Sequence, residues 1–413
     1  MHRAGPATTG AASRFSASGS VSRRVSASGQ GGGKVGARVP TRETGGRERG
    51  AGFDLARRAM ASDAGREDAL TDATYTVSAW RQTEDDPAPW ERTLVATPEV
   101  TLVRGDDSSR DDASTFDASA YYSRLRTRRD GRALLTAREL PSTQNLISDN
   151  AADAPGSLIP GAVCVADAQV SGKGRGGNEW SSPPGCLMFS LLTRHREGRT
   201  LPFIQYIATM AAVDAIQEGA DDALIAAGAK GHRKGTGTAV DAKIKWPNDL
   251  YSGGLKIGGV LCTSTYSDGG FDVVVGVGIN LDNATPTTCV NDIVRKRLEK
   301  DGLRACFDEK TKLTRESLMA GFANRFEAMC AMLDECDSFD TLEGGYLRQW
   351  LHTDQEVTLE EDGEKKVRLV VKGITRTGYL LAIDASGEKY ELHPDGNSLD
   401  FFKGLVRKKL PNR

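Results

Sequence analysis

The fold is decided by residues 243–261, whose sequence is KIKWPNDLYSGGLKIGGVL. A short run alternates apolar residues with lysines and ends in the polar turn WPND at 246–249, and a second run starts at Lys256 against two glycines. Alternation with a period of two residues predicts β-strands, and proline with asparagine is typical of the turn between them. By itself this pattern is also compatible with an ordinary turn followed by a solvated lysine.

A longer hairpin is predicted directly downstream. Residues 256–265 and 271–279 each have the pattern of a strand, and SDGG at 267–270 is typical of the turn that joins two strands. The second strand ends in GVGIN at 276–280. Glycines inside a strand can simply mark a bulge or close packing, and the pattern alone leaves both readings open.

A glycine-rich loop, GKGRGGNEW at residues 172–180, precedes both hairpins. Glycines let the backbone approach a ligand closely, successive N–H groups can bind an anion, and Lys173 and Arg175 add positive charge. No Gly-Lys-Ser/Thr ending is present, so the loop is not a Walker A phosphate loop. On spacing alone it is equally compatible with a flexible surface loop.

Taken together, these segments resemble the biotin–protein ligases, also called holocarboxylase synthetases. That family has a Gly-(Arg/Lys)-Gly-Arg-x-Gly-x-x-Trp loop, then Lys-Trp-Pro-Asn-Asp, a lysine seven residues later before paired glycines, and a Gly-x-Gly-x-Asn strand end. All four features occur here in order. Ser142-Thr143-Gln144 and Gln169 also match positions that contact biotin in the family. The resemblance covers about residues 116–410, and the plant and algal branch is the most similar.

The resemblance implies a role for each matched residue. Lys256 and Arg175 are expected to be catalytic, with Lys256 bridging the biotin carboxylate and the α-phosphate of ATP. The residues expected to bind biotin are Ser142, Thr143, Gln144, Gln169, Lys173, Gly174, Arg175 and Lys256. The residues expected to bind the nucleotide are Lys173, Arg175, Trp180, Asn248, Asp249 and Asn280. A core position is an equally good explanation for Trp180, and the sequence leaves the metal ligands unknown.

The implied reaction uses ATP and Mg²⁺, with biotin as substrate, and the implied partners are the biotin carboxyl carrier domains of biotin-dependent carboxylases. A lipoate–protein ligase of the same general fold is an alternative, because it shares the Lys-Trp-Pro-Asn-Asp segment. A biotin-sensing regulatory protein without catalysis is a second alternative. Arg175 and Lys256 argue against the sensing protein, whereas the glycine-rich loop and a C-terminal β-domain favour biotin over lipoate.

The fold class implied is α+β, with a mixed central β-sheet flanked by helices, like the catalytic domain of class II synthetases, and a small C-terminal SH3-like β-barrel. Residues 201–217 and 313–333 have the spacing of helices, and four short strands separated by turns are predicted between 357 and 392. The predicted domains are a transit peptide or disordered segment at 1–60, a loosely structured polar extension at 61–115, a catalytic domain at 116–350 and the β-barrel at 351–413.

The N-terminal composition predicts targeting to an organelle. Residues 1–42 contain seven basic residues, and the first carboxylate is Glu43. Such a segment, rich in Ser, Ala and Gly, is typical of plastid or mitochondrial transit peptides, although a disordered tail has a similar composition. Met60 is a candidate second start for a cytosolic form.

Composition and departures from the family pattern narrow the function further. The formal net charge of −2 argues against a nucleic-acid partner, and no apolar run is long enough to predict a membrane span. Seven cysteines without a Cys-x-x-Cys pair favour a reducing compartment. Gly176 and Asn178 replace arginines of the bacterial loop, and Thr263 replaces an acidic residue of the family. The oligomeric state is left undetermined.

Overall fold

The computed structural model describes residues 75–81, 100–104, 114–151, 158–230, 240–283, 285–360, 366–394, 397–400 and 405–408. The predicted transit segment at 1–60, including Met60, lies outside these residues. Within the described residues, no helix is both long and apolar enough to cross a membrane.

A nine-stranded mixed sheet forms the centre of the molecule, with the strand order β2-β1-β3-β4-β5-β9-β8-β7-β6. Its strands are β1 (Tyr75–Arg81), β2 (Val100–Arg104), β3 (Ala133–Leu140), β4 (Ala162–Gln169), β5 (Cys186–His195), β6 (Ala242–Lys245), β7 (Asp249–Ser252), β8 (Leu255–Ser267) and β9 (Gly270–Asn280). The pairs β1–β2 and β3–β4 are parallel, and the other neighbours are antiparallel. The predicted hairpin at 256–279 is therefore confirmed as β8 and β9.

Helices cover both faces of this sheet. They are α1 (Ala118–Arg124), α2 (Thr143–Asp149), α3 (Phe203–Ala226), α4 (Val290–Lys300), α5 (Arg315–Cys336) and α6 (Asp340–Gln349), with short 3₁₀ turns at Arg175–Gly177 and Arg304–Cys306. Consecutive residues of a strand point to opposite faces. Leu134 of β3 accordingly joins the core that contains α3 and α5, whereas Leu135 joins a second core with Ile147 of α2. The two predicted helices are present, and α3 extends nine residues beyond the predicted end at 217.

The polar extension contributes to the sheet. We expected residues 61–115 to be loosely structured, but β1 pairs antiparallel with β3 along five residues, and β2 pairs with β1. Val77 and Ala79 of β1 are buried in the same core as Leu135. Part of this segment is therefore an edge of the central sheet, because alternate β1 residues cover apolar surface that β3 would otherwise expose.

A second sheet lies at the C-terminal end, where the sequence predicted a small β-domain. It has the order β13-β12-β11-β10-β15-β14. Its strands are β10 (Glu356–Glu360), β11 (Lys366–Ile374), β12 (Leu380–Ile383), β13 (Lys389–Leu392), β14 (Asn397–Asp400) and β15 (Leu405–Lys408). The four strands predicted between 357 and 392 are present as β10 to β13. Val357, Leu369 and Leu380 are buried in the main core.

The turn at 246–249 is tied to this second sheet by hydrogen bonds. The indole Nε1 of Trp246 donates to the Tyr206 hydroxyl at 2.8 Å, and that hydroxyl donates to the carbonyl of Gly378. The backbone N–H of Trp246 donates to Nε2 of His352 at 2.9 Å. His352 is fully buried, and burial is the main reason that its pKa falls to about 4. The neutral imidazole is therefore part of the junction between the two sheets.

This junction predicts a loss of stability in acid. His352 has a pKa near 6.5 in the unfolded chain and about 4 in the folded one, so the unfolded state binds more protons between these values. The stabilisation by neutral His352 is complete above pH 6.5 and is lost as the pH falls toward 4. The free energy of unfolding should fall by on the order of 3 kcal/mol over this range. Urea unfolding at pH 7 and pH 4.5 should show this loss. His352→Gln should reduce the pH dependence and the exposed His393→Gln should not; equal slopes in all three proteins would contradict the assignment.

Candidate active site

One cavity of about 330 Å³ opens at the ends of β4, β8 and β9, beneath the glycine-rich loop. Nearly all the side chains predicted to bind a ligand line it. They are Ser142, Thr143, Gln144, Gln169, Lys173, Arg175, Trp180, Asn248, Asp249 and Lys256, together with the backbone of Gly174. Segments separated by more than a hundred residues in the chain therefore meet around one volume, as a ligand site requires.

The side of the cavity beside α2 carries a buried polar cluster. The Thr143 backbone N–H and hydroxyl both lie within hydrogen-bond distance of Gln169 Oε1, at 2.8 and 3.1 Å. The same hydroxyl is 2.9 Å from the hydroxyl of Ser190, which donates to Gln144 Oε1 at 3.1 Å. Gln169 Nε2 in turn donates to Ser182 at 3.2 Å. These bonds hold each side chain in one orientation, which a pocket for a polar ring requires.

Gln144 lies at the bottom of this cluster and is held by β8 and β9. Its Nε2 donates to Thr263 Oγ1 at 3.0 Å and to the carbonyl of Val274 at 3.1 Å. A Cβ atom on Gly276 would lie 2.3 Å from Gln144 Oε1, closer than atoms can approach. Of the readings that were open for the first glycine of GVGIN, close packing is the correct one.

Two buried polar atoms in the cavity wall have no hydrogen-bond partner among the residues that the structure describes. They are the hydroxyl of Ser142, which is 2% exposed, and the indole Nε1 of Trp180. Ser142 occupies the N-cap position of α2, yet its side chain makes no capping hydrogen bond. Leaving a buried donor unsatisfied costs about 1–3 kcal/mol. Both groups are therefore available to a ligand that enters the cavity.

The glycine-rich loop is closed at its base and open at its tip. Gly174 N–H donates to the Asn178 carbonyl at 2.7 Å, and Trp180 N–H donates to the Gly172 carbonyl at 2.9 Å. Gly176 and Gly177 have φ of 69° and 80°, a region that favours glycine, and a Cβ there would meet nothing within 4 Å. Arg175 begins this tip and lines the cavity. The loop thus carries a cation on a turn that is fixed at its base by backbone hydrogen bonds and has open space around its two tip glycines.

The cationic side of the cavity is built around Asp249. Lys256 Nζ is 2.7 Å from Asp249 Oδ1, and Lys245 Nζ is 3.9 Å from Asp249 Oδ2. Lys256 Nζ also lies 5.6 Å from the centre of the Trp180 ring. The indole packs so closely on β9 that a Cβ on Gly278 would lie 2.5 Å from it. Lys256 therefore stands between the loop and the turn at 246–249, at the wall of the cavity.

Two residues predicted to bind nucleotide make structural contacts instead of simply facing the cavity. Asn248 Nδ2 donates to the carbonyl of Val260 at 2.8 Å, so its amide joins the turn to β8. Asn280 is 4% exposed and is not among the residues that line the cavity. Its amide lies 3.4 Å from the Lys256 carbonyl and 3.3 Å from the hydroxyl of Thr287. Asn280 thus supports the backbone at Lys256, because its short side chain is turned toward the start of β8.

Ser190 was not predicted from the sequence as a site residue, and no contact was predicted for Thr263. Ser190, which is 1% exposed, interrupts the apolar first part of β5, residues 186–192. A hydroxyl within that apolar run was the available signal. Thr263, noted only as a departure from the family's acidic residue, accepts the hydrogen bond of Gln144.

The described residues offer no preformed metal cage. Among them, no group of three or more His, Cys, Asp or Glu side chains is placed to hold a metal ion. Asp249 and Glu179 are the carboxylates that line the cavity. This arrangement fits Mg²⁺, which typically takes one or two carboxylates and completes its shell with substrate phosphates and water.

Comparison with known proteins decides the family. Residues 139–280 match the model of the biotin/lipoate A/B protein ligase family. The chain is 41% identical over 304 residues to biotin–protein ligase 1, chloroplastic, of Arabidopsis thaliana, which covers 73% of this chain and 76% of that protein. It is 43% identical over 304 residues to biotin–protein ligase 2 of the same plant, with 73% and 84% covered. The chain belongs to the biotin–protein ligase family.

Solved structures of family members also align with the chain. The biotin protein ligase of Aquifex aeolicus in complex with biotin and ATP is 22% identical, covers 63% of this chain and 94% of its own, and has a TM-score of 0.40. Membership of the biotin–protein ligases confirms the resemblance stated from the motifs, and it rests on the plant relatives.

Proposed function

We propose that this protein is an ATP-dependent biotin–protein ligase that forms biotinyl-5'-AMP and then transfers biotin to a lysine of a biotin carboxyl carrier domain. One observation carries the proposal. A single cavity joins a buried cluster of hydroxyl and amide groups to Lys256, and the loop that carries Arg175 covers it. Biotin has a polar urea head and an anionic end, and these two halves of the cavity match its two ends.

The polar cluster is assigned to the urea head. The ring carbonyl needs donors and the ring N–H groups need acceptors. Ser142 Oγ has no partner in the structure, and Gln144 and Gln169 are held in fixed orientations beside it. Because these groups are already ordered, binding costs little conformational entropy.

In the first step, a carboxylate oxygen of biotin attacks the α-phosphorus of ATP, and the bond from that phosphorus to the β-phosphate bridging oxygen breaks to release pyrophosphate. Two anions must meet, so the site must offset their repulsion. In the proposed step Lys256 contacts both reacting groups, and Arg175 and Lys173 from the loop add charge on the nucleotide side. When bound, Mg²⁺ would neutralise the triphosphate, with Asp249 the nearest carboxylate to Lys256.

In the second step, the neutral amine of a carrier lysine attacks the acyl carbon of the mixed anhydride, AMP leaves, and the amine loses a proton. AMP is a good leaving group, so the site needs little acid–base chemistry. The chief requirement is to keep water from the adenylate. The loop over the cavity would meet this requirement, because backbone hydrogen bonds fix its base and Arg175 lines the cavity.

The function is tested by incubating the protein with ATP, Mg²⁺, biotin and an isolated carrier domain. We expect the carrier to gain the mass of one biotinyl group, and pyrophosphate and AMP to appear in equal amounts. Lipoate in place of biotin separates the two ligase activities of the family. The proposal would be contradicted if the protein transferred lipoate but not biotin, or if it bound biotin without releasing pyrophosphate.

The partner and the location are proposed together. One relative is named a chloroplastic biotin–protein ligase, and residues 1–42 of this chain carry seven basic residues before the first carboxylate. We infer import into a plastid or mitochondrion, where the carrier domain of a biotin-dependent carboxylase is the substrate. A fluorescent fusion of the full chain should enter the organelle, and a fusion that starts at Met60 should stay in the cytosol. Identical distributions would contradict the transit role.

The contact between Gly276 and Gln144 gives a test of the biotin pocket. In Gly276→Ala, the new methyl group would lie 2.3 Å from Gln144 Oε1 and displace the amide from its network. We expect biotin affinity to fall about tenfold or more and stability to fall by roughly 1–3 kcal/mol, which is the usual cost of overpacking. Calorimetric titration with biotin measures the first effect. Gly198→Ala, whose methyl group would meet Phe271 at an ordinary 3.5 Å, is the matched control. Equal affinities for biotin in both variants would show that Gln144 does not take part in binding biotin.

A further inference from the structure

Asp249 lies between two lysines whose ammonium groups are at unequal distances from its carboxylate. Its Oδ1 is 2.7 Å from Lys256 Nζ, and its Oδ2 is 3.9 Å from Lys245 Nζ. Lys245 and Asp249 are directly opposite each other in the antiparallel pair of β6 and β7, so the backbone fixes their separation. Asp249 is also paired with Gly259 of β8. The backbone of Asp249 is therefore held by strands on both sides, and its carboxylate lies nearer to Lys256 than to Lys245.

The shorter ion pair holds Lys256 away from the reactants. In the proposed reaction Lys256 must contact the biotin carboxylate, and Nζ has to leave Asp249 or loosen its contact to do so. The side chain of Asp249 is 22% exposed, so water only partly replaces a lost cation. A partly buried carboxylate without a counter-ion is costly. Something must stabilise Asp249 while Lys256 serves the substrate.

We propose that Lys245 is a positioning residue that keeps Asp249 paired when Lys256 turns to the substrate carboxylate. Lys245 shares the charge of Asp249, which weakens the hold of Asp249 on Lys256. This inference rests on the proposed function, since it takes Lys256 to contact the carboxylate of biotin.

The surroundings of Lys245 favour this indirect role over a contact with substrate. In the described part of the chain, Lys245 is absent from the residues that line the cavity. Its Nζ lies 5.5 Å from the centre of the Tyr251 ring, and its charge helps to lower the pKa of His352. Its side chain is 19% exposed, half the value for Lys256. Lys245 thus lies behind Asp249, on the side away from the cavity.

Equilibrium binding tests this arrangement without any need for turnover. The proteins are the wild type, Lys245→Gln, Lys245→Arg, Asp249→Asn and the double variant Lys245→Gln/Asp249→Asn. Each is titrated by calorimetry with biotin and with the alcohol analogue in which CH₂OH replaces the carboxylate. The quantity compared is the ratio of the two affinities, which isolates the contact to the carboxylate. Unfolding midpoints check that every variant is folded.

We expect Lys245→Gln to lower the ratio about threefold to fivefold, the size of a partly exposed ion pair, by weakening biotin alone. Lys245→Arg should keep the wild-type ratio, because it keeps the charge. In the Asp249→Asn background, Lys245→Gln should have no effect. A loss that persists in that background would mean that Lys245 attracts the ligand directly and would overturn the inference, as would an unchanged ratio in Lys245→Gln. Wild-type protein that binds no biotin would instead refute the proposed function.

Discussion

Lys256→Ala should lower the rate of biotinyl-AMP formation by about 10²-fold to 10³-fold, the usual loss when one preorganised charge is removed from the reacting centre. Lys256 is the cation that lies between the loop and the turn at 246–249, 2.7 Å from Asp249 and near the Trp180 ring. Its loss would leave two anionic reactants without a shared counter-charge. Pyrophosphate release in a single turnover, at saturating biotin and ATP, measures the rate.

The controls separate charge from packing. Lys256→Arg keeps the positive charge and should therefore recover part of the rate. The recovery should be incomplete, because a planar guanidinium does not have the geometry of a compact ammonium group. Lys300→Ala removes an exposed lysine at the end of α4 and should leave the rate unchanged. Wild-type pyrophosphate release from Lys256→Ala would show that this lysine is not at the reacting centre.

Arg175→Gly should release the adenylate and label lysines of unrelated proteins. Arg175 stands at the start of the loop tip and lines the cavity, whereas the base of the loop is held by backbone bonds that the substitution does not touch. Adenylate formation should therefore continue while retention of the product is lost. We expect the dissociation rate of biotinyl-AMP to rise about 10-fold to 100-fold, in line with the loss of one or two charge-assisted hydrogen bonds.

This effect is measured by the release of labelled adenylate and by biotin incorporated into serum albumin added beside the carrier domain. The matched control is Arg196→Gly, which removes an exposed arginine after β5 and should retain wild-type selectivity. If Arg175→Gly still labels the carrier alone, the loop does not retain the adenylate through this side chain.

Much of the architecture was predictable from local pattern. Turn residues at 267–270 separate β8 from β9, and polar or glycine-containing turns bound β10 to β13. These strands could therefore be predicted from the sequence. By contrast, β5 has ten residues of nearly continuous burial. A strand covered on both faces lacks alternation, and a period of two could not mark it. Strand β1, which lies between β2 and β3, was missed for a different reason, because its segment is mostly polar and its pairing with β3 is a tertiary event.

The amino-acid sequence by itself determined the family, the order of the motifs and the identity of the charged groups, because the spacing of glycines, tryptophan and lysines is covalent information. Only the tertiary structure decided what these groups do for one another. It turned Asn280 away from the cavity toward Lys256, placed Ser190 and Thr263 beneath Gln144, and set Asp249 between two lysines. The contacts of Gln144 join segments that are far apart in the chain, and all of these distances follow from sheet register and packing, which no local pattern encodes.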